Sequence, residues 1–255
     1  MKVVINDNYH KSVIVALFNL LKSCTSCVCT MFKKGNLHIQ GMDKAHVCLF
    51  DIKMAKKWFP EYICDDEIYC FDTHTFYNII NSAGETHSII LSSTDDGDNL
   101  DIDLLTTHGG LFNKHFRIPL IDMEYEVLDI PETDYDAEFS IHSKKICDIV
   151  SQMTSFGSDL NIRCSEDSFD LITTGIIGEM SVKIPIHDLT AFSINEGEVI
   201  NLKYSLSYIN KMCLTNKLSN EIDFFISRDC PMKIKYDLGE NSSFAFYIAP
   251  KINDD

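Results

Sequence analysis

No apolar run in the 255 residues is long enough to cross a bilayer. Met1 to Asn8 lack the charged-then-apolar pattern of a secretory signal. Both absences point to a soluble intracellular protein. Positive charge is scarce: 22 lysines and arginines stand against 38 aspartates and glutamates, a formal net charge of −16. Such a chain has no overall basic footprint, the usual sign of a nucleic-acid binder, so any contact with phosphate is confined to one surface. Catalytic signatures are missing as well. There is no Walker loop, no Gly-x-Gly-x-x-Gly and no Gly-x-Ser-x-Gly, so no motif points to an enzyme or a cofactor. Cys24-Thr25-Ser26-Cys27-Val28-Cys29 has the spacing of half a zinc site. No second pair completes four ligands, since Cys64 and Cys70 are poorly spaced and Cys230 is alone, so no metal is expected. Asp95-Asp96-Gly97-Asp98-Asn99 reads as a hairpin turn, because a calcium loop needs a later glutamate in register. The ten cysteines are scattered and read as reduced core residues, not as a disulfide framework.

What is present is enough apolar material for a real core: 45% of the residues are hydrophobic, which suits one large domain or two small ones. Four segments carry an apolar stripe of helical period. They are marked by Val13, Ala16, Leu17, Leu20 and Leu21; by Phe76, Ile79, Ile80 and Ala83; by Ile146, Ile149, Val150 and Met153; and by Leu206, Ile209, Met212 and Cys213. Gly84 and Gly157 follow the second and third, where a left-handed stop is expected. Alternating runs such as Leu37-His38-Ile39-Gln40, Ser88 to Leu91, Leu100 to Leu104, Asp170 to Thr173, Met232 to Tyr236 and Ser243 to Tyr247 read as strands. Leu238-Gly239-Glu240-Asn241-Ser242 reads as the turn between two of them. Strand, helix, strands, helix, strands occurs twice over, which is a duplication. The halves, residues 1–118 and 136–255, meet at an acid-rich extended connector, 119–135, containing Pro131. Short helices with antiparallel sheets give an α+β class.

The lysines gather on the helical segments. Lys11 and Lys22, about three turns apart, share a face of the first with Ser12, Val15 and Asn19. Lys144 and Lys145 open the third. Lys203 and Lys211 share a face of the fourth through Ser207, and Lys217 follows it. The second offers His74, Asn78 and Asn81.

Three segments, in this order and spacing, resemble the signature of the proliferating cell nuclear antigen family of DNA sliding clamps: His38-Ile39-Gln40-Gly41-Met42-Asp43-Lys44-Ala45-His46-Val47-Cys48-Leu49, Leu128-Asp129-Ile130-Pro131-Glu132-Thr133-Asp134-Tyr135, and Phe246-Tyr247-Ile248-Ala249-Pro250-Lys251-Ile252. The resemblance implies two similar clamp domains of the processivity fold, with antiparallel sheets outside and four short helices lining a central channel. It implies a homotrimeric ring that encircles duplex DNA without sequence preference and raises processivity in DNA replication and repair. Lys11, Lys22, His74, Lys144, Lys145, Lys203, Lys211 and Lys217 then become the DNA-binding set. Partners would be a DNA polymerase, a clamp loader, and a flap nuclease or ligase, each docking a short hydrophobic peptide. The matching pocket positions are Met42, His46, Val47, Leu49, Leu128, Ile130, Pro131, Pro231, Tyr247, Ala249, Pro250 and Ile252, rimmed by Glu124, Glu126, Asp129 and Glu132. Subunits would join along edge strands near His115 to Ile118 and Glu179 to Lys183, with Phe116, Ile118, Met153, Phe156, Met180 and Val182 at the interface. Glu166 stands where cellular relatives carry a modifiable lysine. The implied compartment is the nucleus, or a viral replication compartment if the chain is virus-encoded, a reading that the many Asn and Ile residues suit. Two alternatives stay open within the family, a subunit of a checkpoint-type clamp and a viral processivity factor acting as a monomer. A zinc- or cysteine-dependent enzyme is the distant one.

Overall fold

The computed structural model describes residues 1–93, 97–106, 109, 111–213 and 216–251. They form two compact units. The first comprises Met1–Lys44, Phe50–Leu128 and Leu238–Phe244, and the second Ala45–Leu49, Asp129–Asp237 and Ala245–Asp255. The first half of the chain runs β1 (Lys2–Ile5), α1 (Asn8–Cys24), β2 (Cys27–Lys33), β3 (Asn36–Met42), β4 (Cys48–Ala55), a 3-10 turn (Lys56–Trp58), β5 (Glu61–Ile63), β6 (Glu67–Asp72), α2 (Thr73–Asn81), β7 (Ser88–Ser93), β8 (Asn99–Leu105) and β9 (Lys114–Pro119). The second half repeats that succession: β10 (Ala137–His142), α3 (Ser143–Met153), β11 (Asp159–Ser165), β12 (Ser168–Gly175), β13 (Gly178–Lys183), a 3-10 turn (Ile186–Asp188), β14 (Ala191–Ile194), β15 (Ile200–Ser205), α4 (Leu206–Met212), β16 (Glu221–Ile226), β17 (Met232–Gly239) and β18 (Ser242–Ile248).

Strand order repeats too. The first half contains the orders β5–β1–β7–β8–β9 and β6–β2–β3–β4; the second contains β14–β10–β16–β17–β18 and β15–β11–β12–β13. The duplication read from the sequence is therefore a duplication of topology, and every pairing recorded between these strands is antiparallel.

Local chemistry sets the element ends. Asp7 caps α1 by accepting a hydrogen bond from the His10 backbone N–H at 2.9 Å, and Asp72 does the same for α2 through Thr75 N–H at 2.7 Å. The apolar stripe of α1 places Val13, Leu17, Leu20 and Leu21 fully inside, at about 1.5–3 kcal/mol for each side chain removed from water. Phe18 closes on Phe76 of α2 at 4.4 Å between ring centroids. In the second unit, Phe139 stacks on Phe224 at 4.7 Å and meets Phe169 edge-on at 4.4 Å. The β17–β18 turn has Glu240 at φ 54° and Asn241 at φ 59°. Positive φ at both central residues is the geometry whose twist suits a two-residue hairpin.

Several expectations are corrected. The first helix is not short, at 17 residues. The fourth begins at Leu206, so Lys203 lies on a strand: Ile200 to Ser205 pairs with β11, Lys203 opposite Asn161, and its alternation outweighs the short helical pattern that follows. Neither Gly84 nor Gly157 has a positive φ. A Cβ on Gly157 would lie 2.5 Å from Thr173 Oγ1, so close packing against β12 is what requires glycine there. The cysteines are not all reduced: Cys29 and Cys70, directly opposite in the β2–β6 register, are joined as a disulfide with Cα atoms 3.9 Å apart. Asp95 and Asp96 of the turn after β7 lie outside the described residues; Gly97 beside them takes φ 73°.

Candidate nucleic-acid and partner interfaces

The predicted basic set divides into exposed and internal members. His74, Lys144, Lys145, Lys211 and Lys217 are exposed. Lys22 is half-buried, with Nζ 3.5 Å from the centre of the Tyr77 ring, a cation–π contact that still leaves charge at the α1–α2 surface. Lys203 is half-buried on β15. Lys11 departs from the expectation. It is 7% exposed, and its ammonium donates to the carbonyls of His87 at 2.8 Å, Gly84 at 3.4 Å and Glu85. Burial pushes its pKa down, against the opposing pull of Asp7 and Glu85. The lysine ties α1 to the loop after α2 and is not part of an exposed cationic face.

Lys144 and Lys145 stand in the first turn of α3, which has no acidic residue and no side-chain cap. Cations there oppose the helix dipole, at about 0.3–1 kcal/mol each. Local stability does not account for them, whereas an anionic partner would. Asp72, the acid beside His74, is accounted for as the cap of α2.

The two predicted edges, β9 and β13, are among six described strands that end a sheet, with β5, β6, β14 and β15. β9 ends the order β5–β1–β7–β8–β9 and β13 ends β13–β12–β11–β15, so each offers a row of free backbone groups for another strand. On β9, Arg117 pairs with Asp101 of β8 through two hydrogen bonds of 2.7 and 2.9 Å, and His115 meets Asp103 at 2.8 Å. The opposite face holds half-buried Phe116 and, at 5% exposure, Ile118. On β13, Met180 and Val182 are half-buried between exposed Glu179, Ser181 and Lys183. Phe156, Phe116, Met180 and Val182 remain accessible to a neighbour. Ile118 and Met153, the latter fully buried, are core residues of their units and drop out of the interface set.

The predicted pocket residues fall in both units. In the first, Met42 is half-buried and Leu128 is exposed. In the second, His46 (φ 56°) is exposed beside half-buried Val47, whose carbonyl accepts from Ala249 N–H at 3.3 Å. Leu49, Ile130, Tyr247 and Pro250 are half-buried, and Pro131, Pro231 and Ala249 are exposed. Lys251 N–H donates to Lys203 O at 2.7 Å, and its ammonium pairs with Asp159. Ile252 lies outside the described residues. Glu166 is exposed, with Oε1 accepting from Gly197 N–H at 3.0 Å.

A group the sequence reading passed over lies beneath the connector in the first unit. His38 and Gln40 alternate along β3 as polar residues, which predicts a solvated face, yet both are buried. Buried Asp51 on β4 accepts from His38 Nε2 at 2.6 Å and from Gln40 Nε2 at 3.3 Å, and its other oxygen meets Lys53 Nζ at 3.2 Å. Burial pushes the Asp51 carboxyl up, but the His38 hydrogen bond and the Lys53 charge outweigh it, so it sits below its ordinary 3.8. Gln40 reaches the connector through Leu128, and Tyr125 Oη donates to Gln40 O at 3.0 Å. The available signal was the place of His38 and Gln40 inside the recognised segment, in a run where a solvated strand face has no need of an amide.

Comparison with known proteins covers almost the whole chain. The family model described as Proliferating cell nuclear antigen, N-terminal domain, matches residues 7–128, and the C-terminal domain model matches 129–251. A proliferating cell nuclear antigen of Chaetomium thermophilum is 27% identical over 252 residues, spanning 96% of this chain and 95% of that protein. Proliferating cell nuclear antigen 1 of Plasmodium falciparum is 24% identical over 261 residues, with the same two coverages.

Proposed function

The chain belongs to the proliferating cell nuclear antigen family, and on that premise we propose that it is a sliding clamp: three copies form a closed ring around duplex DNA and tether a replicative polymerase. The observation that carries the reading is the repeated topology, which gives each half an edge strand with accessible apolar side chains, β9 in the first and β13 in the second. A chain with two different free edges joins head to tail, and a head-to-tail contact that closes by rotation makes a ring. Phe116 on one edge and Met180 and Val182 on the other supply apolar contact between successive copies.

DNA is held weakly, by His74, Lys22, Lys144, Lys145, Lys203, Lys211 and Lys217. The acidic balance of the rest of the chain suits this use, since a clamp must slide and tight phosphate contact would arrest it. The ring needs no catalytic group. Partners dock a hydrophobic plug and two aromatic rings on the second unit, against Val47, Ile130, Pro131, Pro231, Tyr247, Ala249 and Pro250. The compartment is that of replicating DNA, the nucleus or a viral replication site.

Primer extension tests the function. With a clamp loader and a polymerase carrying the peptide, adding the chain lengthens the products of single binding events, and free peptide abolishes the gain. Unchanged product length at saturating chain would overturn the reading.

A further inference from the structure

Residues 120–135 have no regular secondary structure, so the connector has no ladder of its own. At one point it borrows a rung from a side chain. Gln40 Oε1 accepts from Leu128 N–H at 2.7 Å while Gln40 Nε2 donates to Leu128 O at 3.0 Å. Both backbone groups of one residue are thus engaged by one amide, as a neighbouring strand would engage them. The second Nε2 hydrogen points to Asp51 Oδ1, which satisfies both donors of the amide.

The orientation of that amide is determined by its surroundings. Reversed, it would set an N–H against the Leu128 N–H and its oxygen against the Asp51 carboxylate. Asp51 is held in turn by His38 and Lys53. Gln40 itself is only 4% exposed, and a buried amide without partners is costly. The Leu128 side chain, by contrast, is exposed although its backbone is fastened. The arrangement holds the strap and presents what the strap carries.

We propose that Gln40 is a positioning residue for the peptide-docking surface: its amide latches the connector at Leu128, Asp51 and His38 orient the amide, and loss of the latch weakens peptide binding. The effect on peptide rests on the docking reading above, whereas the latch itself does not. Gln40 touches no partner. It acts through the connector backbone, so its removal must loosen that backbone before it can alter affinity.

Hydrogen exchange at the Leu128 amide, measured on the full chain alone, reads the latch directly. Gln40→Leu raises that exchange rate by about tenfold or more, and Asp51→Asn raises it by less. In calorimetry with a synthetic plug-and-two-aromatics peptide, Gln40→Leu weakens Kd by about tenfold while the native mass is unchanged. Tyr125→Phe, which alters only one hydroxyl on the connector, gives a smaller increase in exchange and decides the matter should Gln40→Leu fail to melt cooperatively. Unchanged Leu128 exchange in these variants overturns the latch, and faster exchange with unaltered Kd overturns its positioning role. A wild type that binds no peptide sinks the docking reading and with it the positioning role, while Leu128 exchange still decides the latch.

Discussion

The ammonium of Lys11 on α1 lies 2.8 Å from the carbonyl oxygen of His87, the residue that precedes β7. With the Gly84 and Glu85 carbonyls, that oxygen forms a cage around the ammonium. Hydrogen bonds to charged groups contribute about 1.5–3 kcal/mol each. Lys11→Met should therefore destabilise the chain by roughly 2–4 kcal/mol, read as a lower urea midpoint, with little effect on DNA retention per folded molecule. A variant of wild-type stability would return Lys11 to the DNA-binding set.

Lys144 and Lys145 should behave in the opposite way. Replacing both with glutamate removes cations from the first turn of α3 and adds anions where the helix dipole favours them. Thermal stability should rise, by about 0.3–1 kcal/mol per site, while DNA loading falls and its salt dependence becomes shallower. A rise in stability with loading intact would mean that the two lysines only decorate a solvated helix end.

The edge strands make separable predictions on neighbouring residues. Phe116→Asp should leave a folded monomer, because Phe116 is only half-buried on an edge. Ile118→Asp places a carboxylate in the core and should instead unfold the first unit, since burying an unpaired charge is expensive. Gel filtration combined with near-ultraviolet circular dichroism distinguishes the two outcomes. A trimeric Phe116→Asp would assign subunit contact elsewhere.

Asp51 carries a defined pH dependence. Its pKa is lowered in the folded state, so its contribution to stability is present above the ordinary 3.8 and is lost as pH falls through the lower folded value. Wild type should lose more stability than Asp51→Asn as the pH drops below about 4. Parallel denaturation curves for the two proteins down that range would contradict the assignment.

On the second unit, Ile130→Ser should weaken peptide binding by about tenfold with the trimer intact, by removing one apolar contact of the kind that dominates such interfaces. Calorimetry showing an unchanged Kd would put the partner site elsewhere.

Much of this architecture was readable from periodicity. The stripes through Leu17 and Leu21, or Ile146 and Val150, have one helical meaning, and the hairpin at Gly239 to Ser242 has its turn chemistry in the sequence. The sites were less readable, for physical reasons. Lys11 sits on the margin of its helix stripe, and no local rule reveals that three carbonyls of a distant loop enclose it. Lys203 precedes a helix that begins three residues later, so its strand pairing with Asn161 is a tertiary fact. His38 and Gln40 follow the alternation of a solvated strand face, yet Gln40 is buried against an irregular segment and His38 against Asp51. Cys29 and Cys70 are 41 residues apart and meet through strand register alone. Ile118 and Phe116 look alike in sequence and share one face of β9, and only their position along the strand separates core from edge.

The ring is tested most directly by combining mass in solution with retention on DNA. The chain, 29.1 kDa as a monomer, should run as a trimer at micromolar concentration. Once loaded on nicked circular duplex it should stay bound through a high-salt wash, then slide off when the circle is cut once. A monomeric chain, or one released equally by salt from circular and linear DNA, would contradict encirclement.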